Sequence, residues 1–284
     1  MGKASRVKVE LMEARDLLDL LQVLKDIADM RYHSLLAAKD QFLRFSESFV
    51  DFFRLVGFTT VQHPLVSNSN PKLGIVVITS EQGFVGDMNA KVINRALQEK
   101  EQEPNVSFIT VGRKGTAKLE GMGIKIQKSF EEIDEVGMYE TSVQLKNYLV
   151  EQVMKGELGR VVVLYPWPKD FMTIKPKVIK LLPCEDVLMK QSQTVEKFQY
   201  VIEESDPLDI IGYLADIWLS SRLYELLYDT SMAAAAAQSQ QLDNSLGKMR
   251  KENLTVKLKY RKARRNDIDK SLRETFSARM LATK

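Results

Sequence analysis

The stretch that decides the fold is residues 14–56, ARDLLDLLQVLKDIADMRYHSLLAAKDQFLRFSESFVDFFRLV. Apolar residues recur along it at alternating intervals of three and four residues, with one polar exception. This spacing is typical of a coiled-coil seam. The predicted seam positions are Ala14, Leu17, Leu21, Leu24, Ala28, Arg31, Leu35, Ala38, Phe42, Phe45, Phe49, Phe52 and Val56. No proline or glycine lies between Ser5 and Val56, so a single helix of roughly 50 residues is allowed.

The other end of the chain predicts a second long helix. Asp206 suits the N-cap, Pro207 suits the first turn, and no proline follows. Its predicted seam positions are Leu242, Leu246, Met249, Asn253, Val256, Tyr260 and Ala263. Two such helices cover their apolar stripes most simply by winding around each other, which predicts an antiparallel coiled coil. Because the C-terminal helix is the longer one, part of it should project beyond its partner.

The middle of the chain changes period. Residues 74–79, GIVVIT, form a β-branched apolar run typical of a strand buried on both faces. Similar runs at 106–111 and 161–165, a further strand pattern at 171–182, and helical patterns at 89–100 and 139–155 predict a small parallel α/β domain.

The predicted fold class is therefore α/β plus coiled coil. Long antiparallel N- and C-terminal helices enclose a small Rossmann-like α/β domain. The predicted domains are an N-terminal coiled-coil helix at 1–60, an α/β domain at 70–200 and a C-terminal coiled-coil helix at 205–284.

Composition excludes several classes of function. The 284 residues carry a net charge of +3, too small to make nucleic acid the default partner. One cysteine and two histidines exclude a disulfide framework and leave little for a metal site or His-based catalysis. Charges interrupt every apolar run before the ~20 residues of a membrane span, and the N-terminus lacks a signal-peptide core. We therefore expect a cytosolic protein, or one on the matrix side in a mitochondrial source.

Two glycine-rich turns resemble phosphate-binding loops. Gly83, Gly86 and Asn89 follow the first strand, and Gly112 and Gly115 follow the second. Neither spacing matches a nucleotide-binding motif, and the acidic Glu81 and Asp87 would repel a phosphate. We interpret these residues as structural turns of the α/β domain. No combination of nucleophile, base and oxyanion donor is visible, so we expect neither a catalytic site nor a bound cofactor.

Charge is concentrated on the C-terminal helix. Residues 248–265 carry nine Lys or Arg residues against Glu252 alone. Such a helix could bind nucleic acid or an anionic lipid surface, or could be the solvated face of a coiled coil. We favour the coiled coil, because the charges surround a regular apolar seam with little aromatic interleaving. Arg31 and Asn253, the lone polar members of their seams, are predicted to fix register.

Three motifs resemble those of one family. Val77–Asn89, VITSEQGFVGDMN, resembles the strand and turn VITSDRGLCGGLN of the gamma subunits of F-type ATP synthases. Gly112–Gly115, GRKG, resembles that family's second loop, and Tyr260–Ile268, YRKARRNDI, is similar to its final-helix motif YNKARQxxI. The matches occur in the family's order and spacing over nearly the whole chain. The segment 231–244, SMAAAAAQSQQLDN, and the ending 275–281, TFSARML, depart from the family pattern.

The resemblance implies a non-catalytic rotor subunit that couples ion flow through a membrane c-ring to ATP synthesis or hydrolysis. Its implied partners are the ring of alpha and beta subunits, the epsilon subunit and the c-ring. Lys262, Arg264 and Arg265 are the candidate shaft contacts with the ring. The implied location is the cytoplasmic face of a bacterial inner membrane, or the matrix side in mitochondria. One alternative is a subunit of a divergent or repurposed F-type ATPase. A less favoured alternative is an adaptor protein that binds nucleic acid or a membrane.

Overall fold

A computed structural model describes residues 3–55, 63–184 and 206–282. Side chains are described for 3–39, 63–184, 206, 208–210 and 212–279. The chain forms two compact units, one of Met1–Asp29 with Ser239–Lys284 and one of Met30–Gln238. Each long terminal helix contributes to both units. The three-domain division by element order remains a prediction.

The elements alternate in the middle of the chain as predicted. They are α1 (Lys3–Leu55), β1 (Leu73–Ile78), α2 (Met88–Glu101), β2 (Val106–Val111), α3 (Arg113–Gly121), β3 (Ile126–Phe130), α4 (Met138–Met154), β4 (Arg160–Pro168), β5 (Ile174–Leu182) and α5 (Pro207–Ala282). Two of them, α3 and β3, were not predicted. The residues 127–129 in the middle of β3 are exposed and polar, so this edge strand lacks an apolar signature.

The five strands form one sheet in the order β3-β2-β1-β4-β5. The first four are parallel, and β5 runs antiparallel to β4. The central strand β1 is buried along its whole length, as its continuous apolar sequence predicts. Helices cover both faces of the sheet. The predicted α/β class is confirmed.

Alternate residues of β1 point to the two layers that cover the sheet. Val76 and Ile78 belong to one core, which also contains the buried faces of α4 and of the first part of α5. Ile75 and Val77 belong to a second core with α2. Because successive side chains of a strand point to opposite faces of the sheet, β1 contributes to both apolar layers.

The first unit is an antiparallel helix pair. The amide of Ala4 donates to Asp267 Oδ2 (3.2 Å), Arg250 Nη2 donates to Gln22 Oε1 (3.2 Å), and the Ser239 hydroxyl bonds Asp29. Residue numbers that increase along α1 are therefore paired with residue numbers that decrease along α5, so the two helices are antiparallel. Beyond Asp267 every described side chain of α5 up to residue 279 is exposed, as expected for a helix that continues past its partner.

The seam of α1 differs from the predicted one at every second position. The observed stripe is buried or half-buried at Leu11, Ala14, Leu18, Leu21, Lys25, Ala28, Tyr32 and Leu35. Leu17 and Leu24, which the prediction placed in the seam, are 42% and 40% exposed. Both spacings alternate steps of three and four, and α1 is apolar enough on two faces to satisfy either. The predicted positions 42–56 lie outside the side chains that the structure describes.

The seam of α5 is as predicted. Leu242, Leu246, Val256 and Ala263 are buried, while Met249, Asn253 and Tyr260 are half-buried between them. At the start of α5, Asp206 Oδ1 accepts a hydrogen bond from the Leu208 amide at 2.8 Å, which confirms the predicted N-cap.

Candidate functional site

The basic surface of α5 is a direct result of its seam. With Val256 and Ala263 buried against the first unit's interior, the helical period directs the intervening charged side chains outward. Lys262, Arg264 and Arg265 are all exposed, as a surface for partner contact requires. None of the three forms a hydrogen bond or an ion pair with another described residue, and their side chains are open to solvent.

The two residues predicted to fix register occupy different environments. Asn253 is half-buried within the α5 seam, so it fits the predicted role of a polar residue that sets helix register. Arg31 lies beside the α1 seam, because its neighbour Tyr32 is the buried residue, 5% exposed. Arg31 instead donates to Glu135 Oε1 at 2.5 Å and to the Ser231 hydroxyl at 3.1 Å. It therefore links α1 to α5 and to the loop before α4. A register role for both residues remains a prediction.

The turn after β1 is held by Asn89 and Gln238. Asn89 accepts from the Ser80 amide (3.1 Å) and donates to the Ser80 hydroxyl (2.8 Å), so the start of α2 braces the end of β1. Gln238 of α5 donates to the Gly83 carbonyl at 3.1 Å and to Gln82 Oε1 at 3.2 Å. Gly86 adopts a positive φ of 58°, which favours glycine. This turn is thus docked on α5. Gln238 carries no motif signal that would have identified it.

Thr79 explains the two glycines of the second loop. Its hydroxyl accepts from the Gly115 amide at 2.9 Å and lies 3.2 Å from the carbonyls of Val111 and Gly112. A Cβ on Gly112, where φ is +97°, would lie 2.3 Å from the Thr79 carbonyl oxygen. A Cβ on Gly115 would lie 2.4 Å from the Thr79 hydroxyl. Because a protein side chain fills the space above this loop, it does not form an anion cradle, consistent with a structural turn.

A cavity of about 410 Å³ lies at the carboxyl ends of β1 and β2, within the second unit. Glu81, Asp134 and Glu135 line it together with Arg31, and the guanidinium of Arg31 is already bonded to Glu135 and Ser231. The carboxylates outnumber the single arginine, so the cavity disfavours a phosphate group. It offers no support for nucleotide binding.

Two ion pairs, each with one buried partner, attach the first part of α5 to its neighbours. Lys39 Nζ lies 2.6 Å from Asp229 Oδ1, and the Asp229 side chain is 4% exposed. Lys146 Nζ of α4 lies 2.5 Å from Asp216 Oδ1. Burial raises the pKa of Asp229, and the hydrogen bond and charge of Lys39 partly oppose that rise. Isolated lysines and aspartates carry no sequence pattern, so these pairs could not be predicted.

Cys184 and His63 occupy sites that suit structural roles. Cys184 is buried, its thiol donates to the Leu65 carbonyl at 3.3 Å, and burial raises its pKa to about 12. Burial also lowers the pKa of His63, whose Nδ1 accepts from the Leu65 amide. Among the described residues no cluster of His, Cys, Asp or Glu side chains is placed to hold a metal ion. No helix in the described part of the chain is long and apolar enough to span a membrane.

Comparison with known sequences gives a match over nearly the whole chain. A family model described as ATP synthase matches residues 6–279. The chain is 28% identical over 216 residues to the ATP synthase gamma chain of Pelotomaculum thermopropionicum, covering 75% of each protein. It is 24% identical over 246 residues to the gamma chain of Lachnoclostridium phytofermentans, covering 84% of each.

Solved structures have the same fold. A chain from the Euglena gracilis mitochondrial ATP synthase, described as OSCP/F1/c-ring in rotational state 3, superposes with a TM-score of 0.66 at 16% identity, covering 98% of this chain and 93% of that one. A central stalk/c-ring chain of the Tetrahymena thermophila mitochondrial enzyme gives 0.63 at 15% identity, with 80% and 99% covered. The residues matched by the family model include the β1 turn, the second glycine loop and the basic part of α5. The chain therefore belongs to the ATP synthase family, and the relatives named above are gamma chains.

Proposed function

We propose that this chain is the gamma subunit of an F-type ATP synthase or ATPase, the rotor shaft that couples ion flow through a c-ring to ATP synthesis or hydrolysis. Its partners are the ring of alpha and beta subunits, the epsilon subunit and the c-ring. The chain itself is non-catalytic, and rotation acts on the nucleotide sites of other subunits. Such coupling is reciprocal, because nucleotide binding must bias rotation as much as rotation biases binding.

The observation that carries this proposal is the construction of α5. One 76-residue helix contributes to both units, so it offers a continuous covalent path from the α/β part to the helix pair. In the first unit it keeps its apolar seam inward and its basic side chains outward. A helix at least partly covered along one side resists bending, and an exposed basic surface can contact acidic loops of a surrounding ring. Both properties suit a shaft.

The location follows from the same proposal. A gamma subunit belongs to the F1 portion, which is peripheral to the membrane. We place this portion on the cytoplasmic face of a bacterial inner membrane, or on the matrix side if the source is mitochondrial. Fractionation of the source cells with an antibody to the chain tests this placement: it should sediment with membranes and be released by low salt and a chelator together with alpha and beta subunits.

Exchange of the two arginines tests the shaft contact. In a purified complex, Arg264→Ala with Arg265→Ala should change the ATPase rate or the ratio of ion pumping to hydrolysis at least twofold, at near-normal assembly. The reason is that these two exposed guanidinium groups, which have no hydrogen-bond or ion-pair partner in the described part of the chain, lose on exchange whatever contact they make with the ring. The measurements are ATP hydrolysis and ion pumping in reconstituted vesicles.

The matched control is Lys118→Ala with Lys125→Ala, which removes the same charge from exposed positions of the α/β domain. This variant should hydrolyse and pump as the unmodified complex does. If the arginine variant is also unchanged, Arg264 and Arg265 do not contact the ring. If the tagged chain copurifies from its source without alpha and beta subunits or ATPase activity, the rotor assignment itself fails, and binding to nucleic acid or membrane takes its place.

A further inference from the structure

The cavity at the carboxyl ends of β1 and β2 carries an uncompensated negative charge. All of its lining residues belong to the unit Met30–Gln238. Glu81, Asp134 and Glu135 contribute three carboxylates, and Arg31 is the only basic residue among the described residues that line it. Because Arg31 is paired with Glu135, the other two carboxylates have no cationic partner among the described residues of the cavity wall.

Glu81 is the least satisfied of these groups. Its Oε1 atom is buried and has no hydrogen-bond partner in the described part of the chain. Its Oε2 atom accepts a long hydrogen bond, 3.4 Å, from the Arg113 amide. Asp134 Oδ1, by contrast, accepts from the Gly137 amide at 2.6 Å. A buried carboxylate oxygen without a donor costs free energy, and a positive charge held in the adjacent cavity would offset that cost.

The inner wall of the cavity is apolar. Ile78, Val111, Met138 and Leu227 line it, and each is at most 4% exposed. Val136, also in the lining, is 90% exposed, so the cavity reaches the surface at the loop before α4. The volume of about 410 Å³ lies within the ~300–1,000 Å³ range of small-molecule sites, which pair apolar walls with polar groups that fix the ligand's orientation. A ligand that matches this cavity is apolar at one end and positively charged at the other.

We propose that the cavity binds a small amphipathic amine, with its ammonium group near the carboxylates of Glu81 and Asp134 and its apolar body against the inner wall. A metal ion is a poorer fit, because no cluster of His, Cys, Asp or Glu side chains in the described ranges is placed to hold one. An anionic ligand would be repelled by the two carboxylates, and an uncharged one would leave their charge unbalanced. The inference is independent of the rotor assignment, since it concerns a cavity within the chain itself.

Three probes of similar shape test the proposal on the full-length chain. They are 4-phenylbutylamine, 4-phenylbutanol and 4-phenylbutyrate, which end in an ammonium, a hydroxyl and a carboxylate group. Isothermal titration calorimetry gives the dissociation constant of each. The amine should bind at least about tenfold more tightly than the alcohol, and the carboxylate should bind more weakly still. Raised salt should narrow these differences, because ions screen the attraction between the charges.

The variant Glu81→Gln with Asp134→Asn removes the two charges and keeps an oxygen acceptor at each position. The fold should therefore persist, which circular dichroism checks. Affinity for the amine should fall at least about tenfold, while affinity for the alcohol should stay within twofold. The matched control is Glu101→Gln with Glu120→Gln, which removes the same charge from exposed positions outside the cavity. It should bind the amine as the unmodified chain does.

Methionine methyl resonances locate the amine in the unmodified chain, so this measurement does not depend on the folding of any variant. Met138 lines the cavity at the start of α4. Met154, at the other end of the same helix, is 56% exposed and lies outside the cavity lining. A saturating concentration of the amine should shift the Met138 methyl resonance and leave that of Met154 unchanged.

Three results would overturn the proposal. One is equal affinity for the amine and the alcohol, including no binding of either. Another is a loss of amine affinity in the Glu101→Gln with Glu120→Gln control that equals the loss in the cavity variant, because the net charge of the chain would then be the cause. The third is a shift of the Met154 resonance without a shift of Met138, which would place the amine elsewhere on the chain.

Discussion

At the scale of single residues, Thr79 joins the two glycine turns of the α/β domain. It follows β1, and its hydroxyl and carbonyl occupy the space that a Cβ on Gly115 or Gly112 would need. The sequence shows the glycines of the second turn but not the side chain that makes them necessary. Glycine is therefore required here by close packing around a threonine and, at Gly112, by a left-handed backbone as well.

Replacement of Gly112 by alanine should destabilise the folded chain by at least about 2 kcal/mol, because it adds backbone strain and a steric clash. Urea unfolding of the full chain measures the effect. Gly121→Ala is the control: an added Cβ there meets no atom within 4 Å, and the residue belongs to a helix, so stability should be unchanged or slightly higher. Equal stability of the two variants would show that the loop relaxes around Thr79.

Asp229 gives the chain a pH-dependent contribution to stability. Burial raises the pKa of its carboxyl above the ordinary 3.8, so the folded state holds this proton more firmly than the unfolded state. Its contribution is thus fullest at pH below 3.8 and is lost as pH rises through the folded-state pKa. Lys39 beside it, together with Arg222, limits the rise, while Glu225 adds to it.

Asp229→Asn removes that titration. We compare the free energies of unfolding of the variant and the unmodified chain. The variant's value minus that of the unmodified chain should increase as pH rises from 3.8 toward neutrality, whether this difference is positive or negative at pH 3.8. Urea unfolding at a series of pH values gives the difference. Glu151→Gln, which changes an exposed carboxylate on α4, serves as control and should show no such trend. A difference for Asp229→Asn that is flat or falls with pH would contradict the raised pKa.

At the scale of elements, α1 shows that hydrophobic periodicity alone cannot identify which face of a helix is buried. Two apolar stripes run along one helix, and a reading in steps of three and four residues can alternate between them. Tyr32, the second-last residue of the observed stripe, reaches α5 near the alanine run: it packs with Leu35, Met232, Ala235 and Ala236. The small side chains of residues 233–237 let the two helices and the turn after β1 approach closely. Val85 of that turn and Met88, the first residue of α2, contact the same run.

A larger side chain in the alanine run should open this contact. Ala235→Leu places a bulky group at a fully buried position, so we expect a loss of about 1–3 kcal/mol, measured as a lower urea midpoint. Ala117→Leu on the exposed surface of α3 is the matched control and should change stability by no more than about 0.5 kcal/mol. An unchanged midpoint for Ala235→Leu would mean that the helices separate without cost.

At the scale of the whole molecule, the two ends of the chain meet in two separate units. In the first, residues 3–29 pair with residues from 239 onward; in the second, Lys39 and Leu35 of α1 contact Asp229 and Tyr228 of α5. Each long helix therefore belongs to both units. The arginine exchange proposed above acts at this scale, because any effect on hydrolysis must pass from α5 to nucleotide sites on other subunits.

The sequence by itself determined the α/β class, the two long helices, their antiparallel pairing and the exposure of the basic residues on α5. These properties follow from local periodicity, turn residues and the need to bury apolar stripes. Only the tertiary structure decided which stripe of α1 is covered, that Arg31 bonds Glu135 and Ser231, and that Thr79 closes the glycine loop. Those outcomes depend on side chains far apart in the chain, and no local pattern records which distant residue will lie opposite.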